Sequence, residues 1–397
     1  MSATAQQKQP AEREFFIATP EEIRAGRVTD VYFERTKQIL DARAIDKQVV
    51  LEARVKKLPY GDWGLFCGAA ELVHLLEGQP LDLWALPEGT RFAAHEPTLL
   101  IGCNYRQFAV YETALLGLLC QASGIATKAA RCVIAAEGRP VWSFGVRRLH
   151  PAIAPMIDRS AFIGGCQGVS CVLAAELLGE EAVGTVPHAL ILILGDSASA
   201  TLAFDEIIDK RVKRVALVDT FGDEKFETLE NAELLSGNIY AVRLDTPSSR
   251  RGDMLEIARE IRWELDIHGY QQVKIFISGG LDEELIPTLN PVADGYGVGT
   301  AISNARVIDF ALDIVEIEGD PTAKRGKESG AKQLYLCEKC GQRSVRLFND
   351  ELKSCPTCSG PVQPQLVQFL AQGRRVRELE SAQEVRRRVL AQLTPER

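Results

Sequence analysis

VKIFISGGLDEELIPTLNPVADGYGVGT, residues Val273–Thr300, contains two short apolar strands that both end in glycine-rich turns. The first predicted strand, Val273–Ile277, runs into the turn Ser278–Gly280. The second, Gly295–Val298, ends just before an apparent helix. Short strands that alternate with helices and end in such turns are typical of βα units in a parallel sheet.

The same alternation extends upstream to about residue 138. Further predicted strands are Val141–Phe144, Ala189–Leu194, Arg214–Leu217 and Ile239–Leu244, with predicted helices at Glu224–Leu235 and Met254–Leu265. The pattern favours an α/β fold built on an incomplete or irregular (β/α) barrel, in which reacting groups stand at the carboxyl ends of the strands. A doubly wound open sheet is the alternative, because periodicity does not show whether a sheet closes.

The composition is that of a folded globular protein, since 46% of the 397 residues are hydrophobic and 25% are charged. A net charge of −8 argues against a nucleic acid partner, because phosphate backbones require a surplus of lysine and arginine. The polar N-terminus lacks the apolar core of a secretory signal, and no apolar run approaches the ~20 residues that span a bilayer. We therefore expect a cytoplasmic protein with no membrane partner.

Four of the ten cysteines form two CxxC pairs near the C-terminus: Cys337 with Cys340, and Cys355 with Cys358. Two such knuckles supply the four thiolates that a tetrahedral zinc ion needs. Because sulfur would fill every position, the zinc is expected to be structural and to brace the N-terminal layer or a subunit contact. Two unrelated CxxC pairs are the alternative. The other six cysteines are expected to be buried thiols.

These features predict four parts of the chain. Residues before the barrel mix helices and strands, and a Lys- and Gly-rich linker precedes the cysteines. The predicted parts are an N-terminal α/β domain (1–135), a (β/α) barrel domain (136–305), a return segment and linker (306–332), and a small zinc-ribbon module with a charged C-terminal helix (333–397).

Successive glycine-rich turns at strand ends suit an anion, because backbone N–H groups and a helix N-terminus approach it closely. In barrels, the loops after the last two strands frequently hold a phosphate. Asp219 and Asp245 end the two preceding strands, so both carboxylates are expected at the same edge of the sheet. Two carboxylates beside a phosphate site are suited to Mg²⁺ or ribose hydroxyls, although each alone could cap the next helix.

Other strand ends carry an aromatic ring, arginines and a histidine. Phe144 and Arg147, in FGVRR, could stack on a flat ring and bind a carboxylate. Arg243 shares a strand face with Asp245. His188, in GTVPHAL, stands before the predicted strand Ala189–Leu194, and a lone histidine there is either structural or catalytic.

Together these motifs resemble the nicotinate phosphoribosyltransferase family of barrel-type (type II) phosphoribosyltransferases. The similarity runs from about residue 15 to residue 332. The motifs that carry it are TDVYFERT (29–36), ETALLGLLCQASGIATKAAR (112–131), FGVRR (144–148), GTVPHAL (184–190), VDTF (218–221), RLDTPSSRRGD (243–253), ISGGLDE (277–283) and GVGT (297–300).

The resemblance implies transfer of phosphoribose from phosphoribosyl pyrophosphate to the ring nitrogen of nicotinate. The products would be nicotinate mononucleotide, used for NAD biosynthesis or salvage, and pyrophosphate. It further implies ATP as co-substrate in a ligase-type reaction, Mg²⁺ with the phosphates, and a homodimer or higher homo-oligomer.

The resemblance implies a specific role for each of these residues. It implies that Phe144 stacks on the pyridine ring, Arg147 pairs with the ring substituent, and Arg243 contacts the phosphoribosyl donor, with Asp219 and Asp245 on ribose or metal. Asp30 and Tyr32 would join the pocket, commonly from a neighbouring subunit. The 5′-phosphate would be held by Gly279, Gly280, Gly297, Gly299 and Thr300.

His188 matches the histidine that nicotinate enzymes of this family phosphorylate with ATP. Gln167 stands where relatives often carry another polar residue facing the ring, so a nicotinamide, quinolinate or other base is an alternative. A catalytically silent nucleotide sensor is a second alternative, which the number of intact motifs disfavours.

Overall fold

A computed structural model describes residues 13–250 and 252–393. The polar N-terminal segment 1–12, Arg251 of the RLDTPSSRRGD motif and residues 394–397 lie outside the described residues. The strands are β1 (Gln48–Val55), β2 (Trp63–Leu65), β3 (Leu81–Ala85), β4 (Arg91–Ala93), β5 (Pro97–Asn104), β6 (Val141–Ser143), β7 (Gly168–Val169), β8 (Val215–Leu217), β9 (Ala241–Leu244), β10 (Lys274–Ser278), β11 (Gly295–Val298), β12 (Phe310–Ile317), β13 (Asp320–Pro321), β14 (Lys332–Cys337), β15 (Arg343–Leu347), β16 (Val362–Pro364), β17 (Val367–Ala371) and β18 (Arg374–Arg375).

The helices alternate with these strands mainly in the middle of the chain. They are α1 (Pro20–Arg24), α2 (Val31–Ala42), α3 (Ala69–Leu76), α4 (Tyr105–Phe108), α5 (Glu112–Ala135), α6 (Ala154–Ile163), α7 (Val172–Leu178), α8 (His188–Leu194), α9 (Ser197–Ile207), α10 (Glu224–Leu234), α11 (Met254–Ile267), α12 (Ile286–Leu289), α13 (Thr300–Ser303) and α14 (Ala382–Leu393).

A six-stranded parallel sheet forms the predicted incomplete barrel. Its strand order is β7-β6-β11-β10-β9-β8. β11, the last of these strands along the chain, pairs with β6, the first of them, and the sheet therefore curls. β7 and β8 are not paired with each other, and the chain between them runs beside β7, where the Val183 N–H donates to the Val169 carbonyl at 2.8 Å. The α/β fold class and its irregular barrel are confirmed.

The pairing of β11 with β6 depends on two glycines that face the barrel interior. A Cβ atom on Gly295 would lie 2.8 Å from the indole of Trp142, and one on Gly297 would lie 2.5 Å from the ring of Phe144. Both distances are far below van der Waals contact, so only glycine leaves room for the two rings. Tyr296 and Val298, which alternate with these glycines, are fully buried on the other face of the strand.

The predicted strand Ala189–Leu194 is wrong, because residues 188–194 form helix α8. Pro187 precedes the helix in extended conformation, and Gly195, with φ 101°, ends it. The run ALILIL has no alternation of polar and apolar residues, and a short apolar run fits a strand and a helix equally well. Only Ile191 is buried within this helix, whereas Ile193 is 80% exposed.

A seven-stranded antiparallel sheet, with strand order β13-β12-β1-β5-β3-β17-β18, packs its apolar face against α3 and α5. Its strands come from the N-terminal region, from 310–321 and from 367–375, so segments on both sides of the barrel share it. The predicted domain boundaries, which no separate observation tests, stay predictions.

Helix α5 is the long core helix between this sheet and the barrel. The continuous helical stretch Tyr105–Ala135 is long and apolar enough to cross a membrane by length and composition, but 56% of its apolar window is buried inside the protein. It packs against α6, α3 and the strand β12. This burial is that of a core helix.

The cysteine-containing ribbon, formed by β14, β15 and β16, packs on the outer face of the seven-stranded sheet. Arg343 donates to both carboxylate oxygens of Glu96 at 2.6 and 2.8 Å, and the ring of Phe348 lies 5.4 Å from Trp84. Lys332 and Glu52, both buried, form an ion pair at 3.5 Å beneath the ribbon. The ribbon therefore contacts the N-terminal layer, and its expected bracing role stays a prediction.

The C-terminal helix α14 docks on the barrel helix α6. Val385 and Val389 are fully buried, and Arg386 donates to the carbonyl of Cys166 at 3.0 Å. Beneath it, Arg159 on α6 forms a two-point ion pair with the buried carboxylate of Glu88 at 2.8 and 2.9 Å. Burial alone would raise the pKa of Glu88, but the hydrogen bonds and charge of Arg159 outweigh it and hold that pKa below its ordinary value.

Candidate active site

Side chains from successive strand ends converge at the carboxyl edge of the parallel sheet. Phe144 follows β6, Asp219 follows β8, Asp245 follows β9, and Ser278 ends β10. A cavity of about 510 Å³ is lined at this edge by Phe144, Arg243 and Ser278 and continues into the barrel. This volume lies in the range that small-molecule sites occupy.

Arg243 is the centre of the hydrogen-bond network at this edge. Its Nε donates to Ser278 Oγ at 3.0 Å, and its Nη2 donates to Asp245 Oδ2 at 2.8 Å. Its Nη1 donates to the hydroxyl of Thr185. Ser278 Oγ in turn donates to Asp245 Oδ1 at 2.8 Å, so both oxygens of that carboxylate are held in place.

Asp219 is the most deeply buried acid of the group, with 1% of its side chain exposed. Its Oδ2 accepts from the backbone N–H of Asp245 at 3.1 Å, while its Oδ1 is buried with no donor at hydrogen-bond distance among the described residues. Burial raises the pKa of Asp219; His188 opposes this rise and the charge of Asp245 adds to it. An unsatisfied buried oxygen costs free energy, so this atom is available to a cation or a donor group of a ligand.

His188 begins helix α8 and faces both carboxylates. Its Nδ1 lies 2.9 Å from Thr220 Oγ1, and its Nε2 lies 3.7 Å from Asp245 Oδ2 and 3.9 Å from Asp219 Oδ1. The side chain is 39% exposed. Thr220 thus fixes the ring so that the other nitrogen points at the acidic pair, while the side chain stays partly exposed to solvent.

The predicted phosphate turns lie beside this network. Gly279 and Gly280 have φ of 89° and 71°, in the left-handed region that favours glycine. Gly280 has open space where a side chain would stand, and Gly299 precedes the short helix α13, which begins at Thr300. Gly297 instead faces the barrel interior beneath Phe144.

Phe144 and Arg147 occupy different environments. The Phe144 ring lines the cavity, with the Arg243 guanidinium carbon 5.9 Å from its centroid. Arg147 is exposed and, within the described part of the chain, has no hydrogen-bond or ion-pair partner. Gln167 also lines the cavity, at the level of Val141, to whose carbonyl its N–H donates at 2.7 Å.

Asp30 and Tyr32 stand apart from the barrel network. Asp30 precedes α2, and its N–H and Oδ2 both bond the hydroxyl of Thr113 at 3.1 and 2.8 Å. Tyr32 is 56% exposed and packs against Phe33. No hydrogen bond or ion pair between described residues links either side chain to the strand-end groups of the same chain.

Three residues of the network were not predicted individually: Thr185, Thr220 and Ser278. All three lie inside motifs quoted above, GTVPHAL, VDTF and ISGGLDE. Their hydroxyl groups, close in sequence to predicted site residues, were the signal that could have identified them as members of the network. Their partners depend on contacts between strands, which the sequence does not reveal.

The four cysteines converge in the ribbon. Their sulfur atoms all lie within 4.8 Å of one another, with separations of 3.5 Å between Cys337 and Cys358, 3.6 Å between Cys340 and Cys355, and 3.4 Å between Cys340 and Cys358. A zinc ion with Zn–S bonds of ≈ 2.3 Å places tetrahedral sulfur ligands about 3.8 Å apart. The donor set and its spacing therefore fit a zinc ion.

Two family descriptions match most of the chain. Residues 30–123 match the N-terminal domain of quinolinate phosphoribosyl transferase, and residues 125–313 match the C-terminal domain of the same enzyme. Nicotinate phosphoribosyltransferase pncB2 of Mycobacterium tuberculosis is 30% identical over 417 aligned positions, which cover 93% of this chain and 87% of that protein.

Two solved structures share the architecture over nearly the whole chain. A nicotinate-nucleotide pyrophosphorylase from Pyrococcus furiosus is 54% identical with a TM-score of 0.94, covering 96% of this chain and 98% of that one. Human nicotinic acid phosphoribosyltransferase has a TM-score of 0.75 at 20% identity, covering 93% and 94%, and so supports the fold alone. The resemblance seen in the motifs is thus confirmed, and the chain is an enzyme of the nicotinate phosphoribosyltransferase family.

Proposed function

We propose that this enzyme transfers the phosphoribosyl group of phosphoribosyl pyrophosphate to the ring nitrogen of nicotinate, forming nicotinate mononucleotide and pyrophosphate for NAD biosynthesis or salvage. The single observation that carries the proposal is the convergence of Arg243, Asp245, Asp219 and His188 at one edge of the barrel. The name of the Mycobacterium tuberculosis relative supports the same reaction.

The charge arrangement suits the chemistry of this transfer. Breaking the anomeric C–O bond develops positive charge on the ribose and negative charge on the departing pyrophosphate. Asp219 and Asp245 would stabilise the ribose directly through its hydroxyls, or through Mg²⁺, for which the unsatisfied Asp219 Oδ1 is a suitable oxygen ligand. Arg243, held by three acceptors, would face the donor's phosphates without further ordering.

The remaining strand ends would bind the ends of the two substrates. The backbone of Gly279, Gly280, Gly297, Gly299 and Thr300 would hold the 5′-phosphate, and the open space at Gly280 supports this role. Phe144 would stack on the pyridine ring. Arg147, exposed and unpaired in the described residues, would swing onto the nicotinate carboxylate.

ATP coupling is proposed through His188. Its Nε2 is held toward two carboxylates, and the side chain is partly exposed, which suits a nitrogen that takes the γ-phosphoryl group of ATP with release of ADP. Water would later hydrolyse the phosphohistidine to inorganic phosphate, and this hydrolysis would favour product formation. Described residues 13–250 and 252–393 contain no GxxxxGK[ST] loop, so ATP would use the barrel's own phosphate turns.

A homodimer is proposed from two exposed apolar surfaces. One, the seam surface, lies on the helices between β7 and β8, where the barrel is open, and comprises Val172, Leu173, Leu177, Leu192, Ile193, Leu202 and Ile207. The other, the N-terminal surface, comprises Phe15, Phe16, Ile17, Val28, Val31, Tyr32 and Ile39. Joining these surfaces between copies would cover both and bring Asp30 and Tyr32 to a partner's barrel.

We also propose that the cysteine cluster holds structural zinc and that the enzyme works in the cytoplasm. Four thiolates leave no open coordination position for a substrate. The cluster belongs to the ribbon, which packs on the outer face of the seven-stranded sheet.

The purified protein should form nicotinate mononucleotide from nicotinate, and much less product from nicotinamide or quinolinate, when each base is assayed with phosphoribosyl pyrophosphate. Arg147→Ala should lower kcat/KM for nicotinate by about 10–150-fold, the worth of a hydrogen-bonded charge pair. Arg148→Ala, an exposed neighbour, is the control. Product from quinolinate alone would refute the nicotinate assignment, and a mild Arg147 effect would remove that residue from the pocket.

Incubation with γ-labelled ATP should leave about one acid-labile phosphate per chain on the wild type and none on His188→Ala. His268→Ala, which changes an exposed histidine at the end of α11, should label like the wild type. Label that persists on His188→Ala would refute the phosphohistidine proposal while leaving the base assay unaffected.

Leu177→Asp should convert a dimer to a monomer of 43.6 kDa in sedimentation or light scattering, because it places a carboxylate in the seam surface. Ile134→Asp, at an exposed apolar position on α5 outside that surface, should keep the wild-type mass. A wild type that is monomeric, or a variant that stays dimeric, would contradict the proposed interface.

Metal analysis should find one zinc per chain, and Cys340→Ser should lose it and lower the melting temperature by more than about 5 °C, because ribbons of this kind derive folding energy from the metal. Cys171→Ser, outside the cluster, should keep the metal. Zinc-free protein with unchanged stability and assembly would show that the cluster has no bracing role.

A further inference from the structure

The cavity at the active site continues past Phe144 toward the amino end of the barrel. Barrels of this type are normally filled by layers of side chains, so a continuous interior space is unusual. Its deeper half, called here the lower cavity, lies below the layer of Phe144, Arg243 and Ser278. It is lined by Pro140, Trp142, Val183, Lys213, Val215, Tyr240 and Phe276.

Aromatic rings form the walls of the lower cavity. The rings of Trp142 and Phe276 lie 4.7 Å apart, and Tyr240 lies 5.8 Å from Phe276. Gly295 is what allows the Trp142 indole to lie inside the barrel. Such walls bind a flat ring by stacking and edge contacts.

Two lysines stand at the open end of these walls. The Lys213 ammonium lies 4.2 Å and the Lys274 ammonium 5.1 Å from the centroid of the Tyr240 ring. Neither has a carboxylate within ion-pair distance among residues 13–250 and 252–393. The nearby cations Lys210 and Arg211, by contrast, are paired with Asp205 and Asp209.

The direction of the pKa shift of Tyr240 agrees with a positive potential at this opening. Burial alone would raise the pKa of Tyr240, but the two lysines outweigh it and lower that pKa. The acid that lines the opening, Glu181, is exposed, and its charge acts on Arg211. Two ammonium groups therefore lie against Tyr240 with no carboxylate partner among the described residues, and Lys213 itself lines the apolar space.

We propose that the lower cavity is a second binding site, for an aromatic carboxylate, separate from the position stacked on Phe144. The ring lies against Trp142 and Phe276, and the carboxylate meets Lys213 and Lys274 at the amino-end opening. The site requires no ring nitrogen and no phosphoribosyl donor, so it goes beyond the proposed reaction and does not depend on which base the enzyme uses.

Benzoate is the probe, because it has the ring and carboxylate but no nitrogen to accept phosphoribose. Equilibrium dialysis of the full chain with labelled benzoate should give two equivalents per chain in the wild type and one in Phe144→Ala. In the double variant Lys213→Met, Lys274→Met, the second equivalent should bind at least about tenfold more weakly, since it loses its charged donors. Lys210→Met, three residues from Lys213, should bind like the wild type.

Tryptophan fluorescence provides a readout that does not depend on activity. Trp142 lines the cavity, so benzoate should quench the wild type and Phe144→Ala alike, while Trp142→Phe should lose most of the quenching. The proposal is overturned if the double lysine variant binds benzoate as the wild type does, or if Phe144→Ala abolishes all binding. Failure of nicotinate turnover would leave these results unchanged, so the proposed reaction and the proposed second site can be refuted independently.

Discussion

The parallel pairing of β11 with β6 curls the sheet, and every group at the active edge depends on that curl. It joins residues about 150 positions apart in sequence, and it is possible because Gly295 and Gly297 present no side chain to the rings of Trp142 and Phe144. Once β11 pairs with β6, the carboxyl ends of β6, β8, β9 and β10 face one opening. Gly295 and Gly297 therefore act through packing, and the polar network at the active edge depends on the strand pairing that they allow.

Much of this arrangement was predictable from local pattern. Asp219, Asp245 and the turn Ser278–Gly280 follow strands whose apolar runs and end signals are unambiguous, so their position at one edge follows from parallel topology alone. What the sequence could not supply was the set of contacts between strands. That Arg243 would bind Ser278 and Thr185 depends on register, which no single strand encodes.

Two further differences have physical causes. The run after His188 became a helix because ALILIL lacks the period that distinguishes a half-buried strand, and Gly195 was available to end a short helix. Asp30 and Tyr32 belong to the motif set but lie on a surface helix bonded to Thr113, apart from the barrel of their own chain. Sequence similarity groups such residues with the site, whereas the fold of one chain separates them.

The seven-stranded sheet takes β12 and β17 from segments that follow the barrel, and this has a consequence for synthesis of the chain. During translation β1 and β3 each emerge with one neighbour still missing, since their remaining partners lie about 260 and 290 residues downstream. The contiguous barrel can close first, while the N-terminal layer waits with unpaired edges that invite mispairing. The barrel segment of the chain is therefore synthesised almost completely before the last strand of the seven-stranded sheet emerges from the ribosome.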